Sequence, residues 1–137
     1  MAFVEELIRK ESDDTISFGN YTLKNKSKIS DFEHQGDLYK VKTYDKITKL
    51  EKNGLFVYES VPGTAVFNFC ARNSDVSFEV AGNDTVQITL ELEAESEYEI
   101  YRDDMQLGRM KTNLGGKLVF SLDLEEGKKV KIKVVKI

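Results

Sequence analysis

The sequence predicts an all-β protein: an antiparallel β-sandwich, jelly-roll-like or Ig-like, with about ten short strands and one short N-terminal helix. Three observations carry this expectation. Between Thr85 and Ile100, Val86, Ile88, Leu90 and Leu92 share one parity, while Gln87, Thr89, Glu91, Glu93, Glu95, Glu97 and Glu99 share the other. A period of two with one wet face belongs to a half-buried strand of an antiparallel sheet. Turn-forming pairs of Gly, Asn and Asp recur along the chain at roughly 8 to 12 residues, the spacing of a sandwich or small barrel. Helical spacing occurs convincingly in one place, where Phe3, Val4, Leu7 and Ile8 oppose Glu5, Glu6, Arg9 and Lys10.

Residues 1 to 11 are therefore expected to form an amphipathic helix, either a lid on the open end of the sandwich or, through Phe3 and Leu7, an oligomer contact. Thr15 to Leu23 has two β-prone runs around Gly19-Asn20 and reads as the first hairpin. Asn25 to Gln35 is polar and weakly patterned, with Ile29 and Phe32 as anchors. In Asp37 to Tyr44, the residues Tyr39, Val41 and Thr43 alternate with Leu38, Lys40, Lys42 and Tyr44. Asn53-Gly54 folds residues 47 to 59 into a second hairpin, and Val61-Pro62-Gly63-Thr64 has the residue order of a type II turn.

Ala65, Phe67 and Phe69 share the next face. Turns at Arg72 to Asp75 and Ala81 to Asp84 flank Val76, Phe78 and Val80 in a tight meander. Asp103-Asp104 closes a further hairpin, and Leu118, Phe120 and Leu122, then Val130, Ile132 and Val134, point inward on the last strands. Lys129, Lys131 and Lys133 give the terminal strand a basic stripe, expected to lie beside the acidic stripe or at a sheet edge.

One domain spanning residues 1 to 137 follows from the length and from the absence of a linker-like stretch. The net charge of −4 and the presence of only four arginines disfavour nucleic-acid binding, which rests on cations neutralising phosphates. No apolar run approaches the ~18 residues of a membrane span and the N-terminus does not read as a leader, so no membrane partner and a cytoplasmic location are expected. Cys70, the only cysteine, excludes an internal disulfide and a multi-cysteine zinc site and is expected to be a packing residue.

Chemistry finds little foothold. His34, the only histidine, is read as a solvated loop residue, and no GxSxG nucleophile elbow is present. Asp13-Asp14, Asn83-Asp84 and Asp103-Asp104 are turn residues without calcium-loop spacing, so neither metal nor cofactor is expected. Tyr44 and Tyr101 have the parity of polar neighbours, and with Tyr58 they are candidate platforms for a sugar ring. The leading expectation is a non-enzymatic binding or assembly module acting as a homo-oligomer. Alternatives are a carbohydrate-binding module with a glycan partner, and a glycan-active hydrolase using a pair of the 24 acids.

The opening MAFVEELIRKESDDTISFGNYTLKNKSKISDFEHQGDLYKVKTYDKITKLEKNGLFVYESVPGTAVFNF and the later MKTNLGGKLVFSL resemble a group of short all-β proteins from gut Firmicutes, to which the label endosialidase is sometimes attached. The resemblance implies an accessory all-β protein. It brings no catalytic motif: a Ser-x-Asp-x-Gly-x-x-Trp box needs a tryptophan that this chain lacks.

Overall fold

The computed structural model describes residues 3–137. Thirteen strands occur among them: β1 (Ile8–Lys10), β2 (Ile16–Phe18), β3 (Ser27–His34), β4 (Asp37–Tyr44), β5 (Ile47–Lys52), β6 (Leu55–Val61), β7 (Ala65–Ala71), β8 (Asp75–Ala81), β9 (Thr85–Glu91), β10 (Glu97–Arg102), β11 (Met105–Lys111), β12 (Lys117–Asp123) and β13 (Val130–Lys136). They form a seven-stranded sheet, β1-β2-β7-β8-β13-β10-β11, and a six-stranded sheet, β12-β9-β6-β5-β4-β3. Every pairing is antiparallel.

The alternation read from the sequence sets the inner faces. Val86, Ile88 and Leu90 of β9 and Leu118, Phe120 and Leu122 of β12 are buried on one sheet, and Val76, Phe78 and Val80 of β8 and Val130, Ile132 and Val134 of β13 on the other. Between the sheets Phe18, Tyr58, Phe69 and Phe78 interlock, with Phe18 and Phe78 edge-on to Tyr58 at 5.4 and 5.8 Å. Edge-to-face geometry suits the ring quadrupoles and adds about 0.5–1.5 kcal/mol per pair to the burial of area.

The tight hairpins follow local chemistry. Asn53-Gly54 between β5 and β6 and Asp103-Asp104 between β10 and β11 all have positive φ, the backbone of a turn matched to strand twist. A third such turn, Gln35-Gly36, joins β3 to β4 and makes a hairpin of the segment whose sequence was weakly patterned.

The N-terminus departs from the expected helix. Leu7 has φ 72°, which interrupts any helical run, and Ile8–Lys10 pairs with Ile16–Phe18 as β1. Val4 donates its N–H to Gly19 O and Gly19 donates to Leu7 O, so the segment is held as backbone against β2. Its apolar residues find partners without a helix. Val4 is fully buried with Tyr21, Ala65, Phe67 and Ala81 in a second cluster, Phe3 packs against that cluster, and Leu7 packs on the main core. Tertiary contact outweighs the weak propensity of a single short helix.

Four further readings change. Residues Gly19 to Leu23 do not return as a hairpin, because β2 pairs with β1 and β7 instead. A bulge at Asn68, φ 55°, turns Phe67 away from Phe69, so Phe67 joins the second cluster while Phe69 joins the main core. The Val61–Pro62 bond is cis and Gly63 has no positive φ, so the turn is not type II; a Cβ at Gly63 would lie 2.1 Å from Tyr44 O, and close approach is why glycine stands there. Cys70 is half-exposed rather than a core residue.

The organising stretch is two strands. The chain leaves β9 after Glu91, passes through Glu95 at φ 50°, and enters β10 in the other sheet. Similarly, β8 and β9 lie in different sheets, so the expected meander is a crossover. The acidic stripe is thereby divided: its β9 part lies in the other sheet from β13, whereas its β10 part, Glu97 and Glu99, lies on the strand beside β13, with Glu99 opposite Val135 and Tyr101 opposite Lys133. Neither β9 nor β13 is an edge. Each finds counter-charge nearby: Glu91 pairs with Lys117, Glu93 with Lys136, and Lys131 faces Glu79 across the sheet and lies 3.5 Å from Asp104. Local ion pairs serve part of each row, so the β9 part of the acidic stripe needs no contact with β13.

Candidate functional site

The most unusual local chemistry lies on the outer face of β3, β4 and β5. Register places Lys28 opposite Lys42 and Lys42 opposite Lys49, so three lysines stand in one cross-strand row. Strand spacing of about 4.8 Å makes that row roughly 10 Å long. Lys40 lies two residues along β4 on the same face, and Lys26 Nζ sits 6.0 Å from the centre of the Tyr44 ring. Lys49 has Glu51 at 3.8 Å and Glu59 directly across, whereas Lys26, Lys28, Lys40 and Lys42 make no ion pair among the described residues. Burial pushes the Lys42 ammonium below the ordinary lysine value, and the charges of Lys26, Lys49, Lys28 and Lys40 push it the same way.

Tyr44 is half-exposed at the end of this row, and the three candidate tyrosines do not converge. Tyr101 is half-exposed in the other sheet, opposite Lys133 and with its hydroxyl 3.4 Å from Glu99. Tyr58 is wholly buried. It ends a hydroxyl network at the crossover into β7: Asn20 N–H donates to Thr43 Oγ1, Thr43 joins Thr48 Oγ1 at 2.8 Å, and Thr48 donates to Thr64 O at 2.7 Å and accepts from Thr64 N–H. Thr64 Oγ1 joins Tyr58 at 2.8 Å and Ser60 at 2.7 Å. Thr43, Thr48, Ser60, Thr64 and Tyr58 are all 0% exposed, so the network knits the sheets and meets no solvent. Burial raises the Tyr58 phenol well above its ordinary value.

His34 is buried, contrary to its reading as a loop residue. Its Nε2 donates to Asp14 O at 2.7 Å, which joins the end of β3 to the loop between β1 and β2 and gives the ring a structural partner. Weak patterning of residues 25 to 35 concealed this position.

Away from the β3–β5 face, two clefts hold two or more acids each. One, of about 140 Å³ at an open end of the sandwich, is lined by Arg72, Asp75, Glu91, Glu93 and Tyr98 among others, and both glutamates are tied to lysines. The other, of about 400 Å³, is lined by Tyr21, Asp45, Asn83 and Asp84 among others; Asp45 Oδ1 is the one buried side-chain oxygen without a hydrogen-bond partner among the described residues. No group of three or more His, Cys, Asp and Glu side chains in the described residues is arranged to hold a metal ion, and no helix there is long and apolar enough to cross a membrane. Comparison with family models, with curated proteins and with solved structures returned no match for this chain.

Proposed function

We propose that this chain is a non-enzymatic β-sandwich that works by binding and assembly, as a homo-oligomer. The observation that carries the reading is β11. It is the outermost strand of the longer sheet and pairs only with β10, and all but one of its residues are exposed. Met105 is 74% exposed, Leu107 54% and Met110 38%, a concentration of apolar side chains on an unpaired backbone edge. The edge strand β12 differs in keeping Leu118, Phe120 and Leu122 buried. Pairing β11 with the β11 of a second copy would satisfy both free edges and bring six such side chains together, a self-complementary arrangement of the kind that closes two-fold dimers.

Phe3 and Leu7, the contacts suggested by the sequence, spend part of their apolar surface inside the domain, which favours β11 over the N-terminus. Light scattering after size exclusion, over a tenfold concentration range, tests the reading. A multimer is expected, reduced to monomer by Met105→Glu with Leu107→Glu. A 15.6 kDa species at every concentration for the parent chain overturns it.

The arrangement of strands also supports the jelly-roll-like form over the Ig-like one. The chain alternates sheets through β8, β9 and β10, pairs β12 with β9, and returns as β13 between β8 and β10. A second functional reading, glycan binding, draws on one observation: Tyr44 presents a half-exposed ring beside cationic side chains on an open sheet face.

A further inference from the structure

Like charges placed directly opposite on neighbouring strands destabilise a sheet. The row Lys28–Lys42–Lys49 does this twice in succession, in a chain that carries 24 acids against 20 basic residues and could have spared one for the position. Elsewhere opposite charges meet on the outer faces, as Glu91 with Lys117 and Lys131 with Asp104 show. On β3 to β5 the lysines instead surround a shallow depression of about 80 Å³ whose sole carboxylate is Glu51. Lys49 has Glu51 and Glu59 beside it and Lys40 stands opposite Glu51, but Lys28 and Lys42 face only lysine across the strands and make no ion pair among the described residues. A repulsive pair left so is the form expected of a site whose counter-charge is a ligand.

The chemistry narrows the ligand. Lysine ammoniums are hydrated point charges without the planar fork with which arginine clamps phosphate, and every basic residue in this row and beside it is a lysine. The depression is shallow, which suits an extended chain better than an enclosed small molecule. Tyr44 offers a ring face for a sugar at the end of the same surface. We propose that the outer face of β3, β4 and β5 binds an acidic polysaccharide, with carboxylate or sulfate groups on Lys28, Lys42, Lys49 and Lys40 and a sugar ring against Tyr44. This rests on the glycan-binding reading and is independent of assembly through β11, which lies in the other sheet.

The experiment is calorimetric titration of the full chain at about physiological salt with heparin, alginate, neutral dextran, sodium sulfate and a single-stranded oligonucleotide. Variants are the triple Lys28→Gln, Lys42→Gln, Lys49→Gln, the single Tyr44→Ala, and a charge-matched control, Lys129→Gln, Lys131→Gln, Lys133→Gln, on the other sheet. Heparin or alginate is expected to bind, the first triple to lose at least tenfold, Tyr44→Ala to lose several-fold, and the control to stay within about twofold. Lys42→Gln alone is expected to raise the Tm, since it removes a charge from among like charges; a lowered Tm would show the row to be structural and overturn the proposal. Equal losses in both triples would reduce the effect to net charge. Tighter binding of the oligonucleotide, or of sulfate ion without either acidic polysaccharide, would overturn the saccharide assignment. Equal binding of dextran would keep the glycan reading and overturn the acidic one, whereas silence from every saccharide would end both.

Discussion

Replacing Thr48 by Val should cost far more than the loss of one hydroxyl suggests. The swap preserves shape, but Thr48 Oγ1 serves three buried groups at once: the Thr43 hydroxyl at 2.8 Å, the Thr64 carbonyl at 2.7 Å and the Thr64 N–H at 3.1 Å. Both threonines it contacts are 0% exposed, so no water replaces the lost partners. A buried polar group left unpaired costs about 1–3 kcal/mol. The Thr64 carbonyl and N–H lose this partner outright while Thr43 Oγ1 keeps the Asn20 N–H, and together, discounted for relaxation and for the non-additivity of networks, the losses give about 2–5 kcal/mol. That is a large share of a typical domain's total of about 5–15 kcal/mol. Urea unfolding is the assay, and at a slope of about 1–3 kcal/mol per molar the midpoint should fall by roughly 2 M with the slope unchanged. Ser60→Ala removes a hydroxyl with a single partner, Thr64 Oγ1, which retains Tyr58, and should cost only about 1 kcal/mol. Thr43→Val added to Thr48→Val should cost less than it does alone, since the bond between the two is already gone. If Thr48→Val costs no more than Ser60→Ala, the network is not a stabilising unit and the reasoning fails.

The Tyr58 phenol is raised in the folded state, so folding stability is complete below about pH 10 and should fall as pH rises beyond it, where only the unfolded chain releases the proton. The slope reaches at most about 1.4 kcal/mol per pH unit, and Tyr58→Phe should remove this contribution from alkaline unfolding curves. Gly63→Ala places a Cβ 2.1 Å from Tyr44 O, which is backbone and cannot yield cheaply; a loss of at least about 2 kcal/mol is expected in thermal unfolding, against about 1 kcal/mol for Gly54→Ala, whose Cβ meets nothing within 4 Å but which has φ 79°. Val4→Asp buries a carboxylate against Phe67 and Tyr21 and should destabilise by about 3 kcal/mol or more, whereas an N-terminus that did not pack on the sandwich would tolerate it.

What the sequence by itself determined is what depends on near neighbours. Alternation assigned the inner faces of β8, β9, β12 and β13, because side-chain direction in a strand has a period of two whatever the partner. Asn53-Gly54 and Asp103-Asp104 announced their hairpins because positive φ is a local preference. The parity of Lys42 and Tyr44 placed both on the outer face of β4, so half of the candidate site was legible.

Tertiary structure decided the rest. Whether Lys42 stands beside Lys28 and Lys49 depends on register between strands, which one sequence does not encode in any local pattern. The bulge at Asn68 reset the alternation and set Phe67 against Phe69, and the crossing after Glu91 divided one regular stretch between two sheets, keeping its alternation while changing where it points. Val4 and Leu7 have the spacing of a helix, yet the buried surface and backbone partners offered by β2 and Phe67 outweigh what nine residues of helix could supply alone. His34 and Tyr58, read as accessible, are buried because Asp14 O and Thr64 Oγ1, distant in sequence or across a crossover, satisfy their polar atoms. Burial of a polar residue depends on a partner, and the partner is assigned only when the chain has folded.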